Sequence, residues 1–141
     1  MCLNWLNRIK CQNIIKLWGN HTSNTYRLYK AEVFKQYGLS DVEIYPIRMG
    51  NVTFVGNHAD ILVGKQLIVM NHFPLHIFRN AQRGTMNISG HSHNMDVSRN
   101  PEHPQGKTLD VSWDYFRNVW SFGELIDVMS TKEINILDHR R

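Results

Sequence analysis

Two cysteines in 141 residues, Cys2 and Cys11, are too few and too poorly spaced for a disulfide framework or a zinc ribbon. They read as reduced thiols. No apolar run approaches the roughly 20 residues of a membrane-spanning helix, and the opening Met1-Cys2-Leu3-Asn4-Trp5-Leu6-Asn7-Arg8 lacks the layout of a signal peptide. A cytoplasmic protein without a membrane partner is expected. Basic residues outnumber acidic ones only 16 to 12, a net charge of +4, and they are scattered apart from His139-Arg140-Arg141. With no basic stripe and no groove-reading motif, nucleic acid is not an expected partner except as a substrate. Internal repeats and low-complexity segments are also lacking. What remains, 42% hydrophobic and 11% aromatic residues, suffices for the core of a single domain spanning 1–141.

Periodicity divides the chain into alternating elements. Leu3, Leu6 and Ile9 suggest the end of an amphipathic helix over 3–11, and residues 13–18 a strand ended by Gly19-Asn20-His21. Tyr26, Tyr29, Val33, Phe34 and Tyr37 are spaced as in a helix over 24–37, with Gly38 as its stop. Short β-rich runs follow at 42–47, 52–55, 59–63 and 66–70, separated by Gly50-Asn51, Gly56-Asn57 and Gly64-Lys65. The last run is almost wholly apolar, as in a strand buried on both faces. A helix or loop containing 79–83 leads to a strand at 86–89, a polar loop over 94–107 and a further strand at 108–112. A terminal helix over 121–129 has Ser121 as N-cap and Glu124 at the third position, the pattern of a capping box.

Histidine is the unusual residue. Eight occur, and His72, His76, His91 and His93 fall close together among glycine, asparagine and proline. Three motifs share one placement, at the C-terminal tip of an apolar strand: Gly19-Asn20-His21, Asn71-His72-Phe73-Pro74 and Gly90-His91-Ser92-His93. Ligands of open α/β sheets bind outside those tips, where loops converge. Imidazole nitrogen with amide oxygen suits Zn, Mn, Fe or Ni, whereas softer ions would demand thiolates. A His-x-His turn can present its two rings to adjacent coordination sites, and thus to one metal or two. His76 would share a face with His72 only in a helix, which Pro74 opposes, and His103 and His139 read as solvated. Trp5, Trp18, Trp113, Tyr115, Phe116 and Trp120 read as core or interface rather than as a base-stacking platform.

These residues resemble the calcineurin-like metallophosphoesterases, in particular the small forms common in phages and bacteria. Leu17-Trp18-Gly19-Asn20-His21 resembles the family's Gly-Asn-His-Asp block, and Val69-Met70-Asn71-His72-Phe73-Pro74 its apolar strand ending in His-Tyr-Pro. Ile88-Ser89-Gly90-His91-Ser92-His93 resembles its Gly-His-x-His block, and Asp110–Tyr115 with Ser121–Ile126 its tail. The resemblance implies a four-layer α/β/β/α fold, a β-sandwich flanked by helices, of which this chain carries the C-terminal two-thirds. It also implies hydrolysis of a phosphate mono- or diester at a dinuclear site. Asn20, His72 and His91 would bind one metal, His93 would serve the other, and His21 would contact the phosphate and help protonate the leaving oxygen.

The family's opening Asp-x-His and Gly-Asp blocks, which supply a bridging carboxylate, do not precede Gly19, and Thr22 stands where the family has Asp. Asp60, Asp96 or Asp110 is a candidate replacement for that bridge, and Arg79 and Arg83 are candidates to reach a phosphate. The second Gly-Asn-His, Gly56-Asn57-His58, leaves room only for a hairpin before the next block and reads as a turn. The alternative function is a catalytically impaired or split enzyme, completed by a second chain or a homo-oligomer that carries the missing ligands.

Overall fold

The computed structural model describes residue 6, residues 8–93 and residues 106–134. Among the described residues the architecture is mixed α/β, with two mixed sheets and three α-helices described over their whole length. Contacts gather the chain into two compact units, Met1–His58 and Ala59–Arg141. No helix among the described residues is long and apolar enough to cross a membrane.

The first unit holds a three-stranded sheet of order β1-β3-β2: β1 (Ile14–Lys16), β2 (Ile47–Met49) and β3 (Val52–Phe54). β1 runs parallel to β3, while β2 returns antiparallel through the tight turn at Gly50-Asn51. Between β1 and β2 lies α1 (Ser23–Tyr37), which ends where Gly38, at φ +70°, donates its N–H to the Phe34 carbonyl at 2.7 Å. That left-handed cap favours glycine because a Cβ is penalised there. The buried stripe of α1 is Thr25, Tyr29 and Val33, at i, i+4 spacing; Phe34 and Tyr37, part of the helical pattern in the sequence, are exposed. Tyr29 and Val33 pack on Ile47, Val52 and Phe54, each removed from water, and burial of an apolar side chain of this size contributes about 1.5–3 kcal/mol.

The expected strand at 42–47 is displaced to 47–49, and Tyr29 supplies the reason. Its hydroxyl donates to the Ile44 carbonyl at 2.6 Å and accepts from the Ile44 N–H at 2.8 Å. Both backbone groups of Ile44 are therefore committed to a side chain and cannot join a ladder. At the start of the chain, Leu6 is helical and buried but residues 8–10 are already turn and exposed, so the helix does not reach 11; Leu3 lies outside the described residues.

The second unit is built on a four-stranded sheet, β4-β5-β6-β7, of β4 (His58–Val63), β5 (Gln66–Asn71), β6 (Met86–Ser89) and β7 (Thr108–Asp110). β4 and β5 form a hairpin across Gly64-Lys65, whereas β5, β6 and β7 are mutually parallel. β5 is buried on both faces at its centre, as its apolar run predicts. On one face Ile68 joins Met86, Leu109, Leu125 and Met129. On the other, Val69 joins Phe78 and Ala81, the latter in a 3-10 turn at Ala81–Arg83.

After β7 comes a short helix, α2 (Trp113–Phe116), that periodicity does not foreshadow, and then α3 (Phe122–Ser130). The capping box of α3 is formed as expected: the Ser121 hydroxyl accepts from the Glu124 N–H, and the Glu124 carboxylate accepts from the Ser121 N–H at 2.7 Å. Leu125 and Met129, one turn apart, bury the inner face of α3. Cys11 is exposed and free.

Candidate metal centre

Parallel pairing carries β5, β6 and β7 to the same edge of their sheet. Met70 faces Ile88 and Ser89 faces Asp110 in register, and past the last paired residues the Gly90 N–H still donates to the His72 carbonyl at 3.1 Å. The Val111 N–H likewise donates to the Ser89 carbonyl at 2.8 Å. The motifs that begin at His72 and Gly90 are thereby side by side. The rings of His72 and His91 have centroids 5.0 Å apart at 66°. Phe73 completes a cluster of three rings, 4.9 Å from His72 and 4.5 Å from His91. Its backbone is set by an Asx turn in which the Phe73 N–H donates to Asn71 Oδ1 at 3.0 Å.

The Gly-His-Ser-His turn is held in an uncommon backbone. His91 has φ +64° and His93 φ +50°, left-handed values that cost a non-glycine residue on the order of 1 kcal/mol or more each. The anchor of that turn is Asp110. Its carboxylate, 2% exposed, accepts from the hydroxyls of Ser92 and Ser112 and from the Ser112 N–H at 2.8 Å. Ser92 lies between the two histidines, so one bond fixes the loop from the middle. Asp110 thus stands at the tip of β7 in contact with the turn, although as a clamp on hydroxyls. His93 makes a different contact: its Nδ1 pairs with the carboxylate of Asp114 on α2, both side chains exposed. A carboxylate on Nδ1 fixes the tautomer and leaves Nε2 as the free lone pair, the usual outer partner of a metal-binding imidazole.

Asn20 and His21 belong to the first unit, in the exposed turn that follows β1. The parallel strand β3 ends in the second Gly-Asn-His, and the two turns adjoin, since the Trp18 N–H donates to the Gly56 carbonyl at 2.7 Å. Gly56 and Asn57 form the turn expected of them, whereas His58, expected in the same turn, already pairs as the first residue of β4. The Thr22 hydroxyl donates to the Gly19 carbonyl at 2.6 Å and so closes its own turn.

The other candidates separate. His76 lies in an irregular stretch, not a helix, and does not share a helical face with His72. Arg79 pairs with Asp60 at 3.2 Å, which engages both a candidate phosphate ligand and a candidate bridging carboxylate. Arg83 is exposed at the end of the 3-10 turn. Asp96, His103 and His139 lie outside the described residues.

Among the described residues no three His, Cys, Asp or Glu side chains are gathered closely enough to hold a metal ion. The geometry joins His72 to His91, and His93 to Asp114. Sequence reading did not foresee Asp114 as the partner of His93 or Asp110 as the clamp on Ser92; only their position at or just past the tip of a strand pointed that way. Comparison of the chain with protein-family models, with curated proteins and with solved structures finds no match.

Proposed function

We propose that this protein is a metal-dependent phosphoesterase of the calcineurin-like type, hydrolysing a phosphate mono- or diester, with His72 and His91 as the paired imidazole donors to a divalent cation. The observation that supports it is their adjacency, 5.0 Å between centroids, at the tips of neighbouring parallel strands. Imidazole pairs suit Zn, Mn, Fe or Ni, and an edge of parallel strands is where α/β sheets take their ligands. Such an ion, when bound, supplies charge stabilisation for a phosphoryl oxygen and an acidified water.

The remaining roles fall to the chain's own groups. Asp110 holds the turn through Ser92, so that His91 is presented from a fixed backbone. Asp114 keeps a proton on Nδ1 of His93 and leaves Nε2 to accept a proton or meet a cation. Phe73 packs edge-on against both His72 and His91 and so restrains the two rings. Asn20 is assigned as an amide-oxygen ligand and His21 as the proton donor to the leaving oxygen. The four-layer sandwich belongs to the same proposal.

The second reading is a site completed by another polypeptide, either a different chain or a second copy. It is favoured by one observation: only two of the candidate imidazoles are drawn together, and no third His, Cys, Asp or Glu joins them among the described residues. Turnover of an aryl phosphodiester with added Mn tests both. Activity proportional to protein concentration and lost in His91→Ala and Asn20→Ala supports the first reading. Specific activity that rises with concentration, or only on adding a second chain, supports the other. Equal turnover in wild type and both variants refutes the two together.

A further inference from the structure

A cavity of about 450 Å³ lies within the first unit, at the tips of β1 and β3 where the twin Gly-Asn-His turns adjoin. Trp18, Tyr26 and Tyr45 give it aromatic walls, and Glu43, Asn57 and His58 give it polar ones. The volume is that of a small-molecule site rather than of a packing gap. Trp18 is the hub of the walls, with its ring centroid 5.6 Å from Tyr26 and 6.5 Å from Tyr45, both edge-on, and its indole N–H donating to the Tyr45 hydroxyl.

The lining carries a single carboxylate and no permanent cation. Neither Lys nor Arg is among the described residues that line it. Burial raises the Tyr45 phenol well above its ordinary value, and the hydrogen bond to Glu43 raises that of Tyr26, so both rings stay neutral and electron-rich. Glu43 remains as the formal charge, accepting from the Tyr26 hydroxyl at 2.6 Å. Thr22, also on the wall, spends its own proton on the Gly19 carbonyl and presents only lone pairs. The surface is therefore rich in acceptors and π density, and without a lysine or arginine to hold a phosphate. The chain already responds to that field: Lys30 places its ammonium 5.4 Å over the Tyr26 ring while donating to the Val42 carbonyl.

We propose that this cavity binds an organic cation, an alkylammonium or guanidinium group carried on an apolar body, through aromatic faces and the Glu43 carboxylate. It assigns a role to the aromatic cluster around Trp18 beyond core packing.

The test uses three probes on one ring: benzyltrimethylammonium, benzyl alcohol and benzylphosphonate, each titrated into the full chain while the Trp18 indole and Asn57 amide resonances are followed. The cation is expected to move both saturably, with the alcohol and the phosphonate at least about tenfold weaker. Glu43 is exposed, so Glu43→Gln leaves the fold intact; it should weaken the cation about tenfold and leave the alcohol unchanged. Equal binding of cation and alcohol, tighter binding of the phosphonate, wild-type affinity in Glu43→Gln, or no saturable shift with the cation overturns the proposal.

Discussion

Replacing Asp110 is the perturbation whose outcome the geometry fixes most closely. Its carboxylate is 2% exposed and accepts three hydrogen bonds, from the Ser92 and Ser112 hydroxyls and the Ser112 N–H. Alanine at 110 removes both carboxylate oxygens and with them all three bonds. The two serines are half-buried and their hydroxyls can turn part of the way to water, while the Ser112 N–H is fixed in direction by the backbone. Bonds to a charged acceptor contribute about 1.5–3 kcal/mol each, of which rehydration returns a share, so Asp110→Ala should cost about 2–4 kcal/mol. Asparagine keeps one oxygen for Ser112 and forfeits the charge, and should cost about 1–2 kcal/mol. Urea unfolding followed by tryptophan fluorescence measures both. A cost for Asp110→Ala within about 0.5 kcal/mol of zero, the range of an inert surface change, would refute the clamp. Release of Ser92 also frees His91 and His93 from their left-handed backbone, so their imidazole resonances should lose dispersion in the alanine variant even below the unfolding transition.

Other expectations follow from single elements. Tyr29→Phe strands the N–H and carbonyl of Ile44 and should cost about 1–3 kcal/mol in thermal or urea melts. Gly38→Ala meets no neighbour within 4 Å, so its cost of about 1 kcal/mol is purely that of φ +70°, with Gly38→Asn cheaper. Ser121→Ala should remove about 1 kcal/mol of cap energy from α3. The Glu124 carboxyl is held below its ordinary pKa by the Ser121 hydroxyl and N–H. Its contribution is thus full above the ordinary carboxylate range and fades as pH falls through the lowered value. Glu124→Gln should flatten that part of the acid melting profile; an unchanged profile would contradict the cap's role.

Much of the fold was legible because local signals were strong. The helix at 23–37 announced itself by its stripe and by Gly38, α3 by its capping box, and β5 by a run of apolar residues with no polar alternation. Where a distant side chain decided the matter, the reading failed. Residues 42–46 have strand-like composition, yet Tyr29 reaches fifteen positions ahead and takes both backbone groups of Ile44. Phe34 and Tyr37 share helical spacing with Tyr29 but fall on the exposed side, because periodicity fixes a stripe's width poorly when both flanks are aromatic. Of the candidate centre, the strand-tip placement of His72 and His91 was visible in the Gly, Asn and Pro around them. Asp114 was not, since its pairing with His93 spans 21 residues and depends on a helix of four residues with no buried side chain.

The central claim is that His72 and His91 share a divalent cation, and metal binding measures it without assuming any substrate. Equilibrium dialysis of the full chain against Zn or Mn, alongside His72→Ala, His91→Ala and the control His76→Ala, is the decisive measurement. At least one bound metal per chain, kept in His76→Ala and lost in either of the other variants, is the predicted result. No stoichiometric metal in the wild type, or metal retained when both His72 and His91 are replaced, would contradict the account.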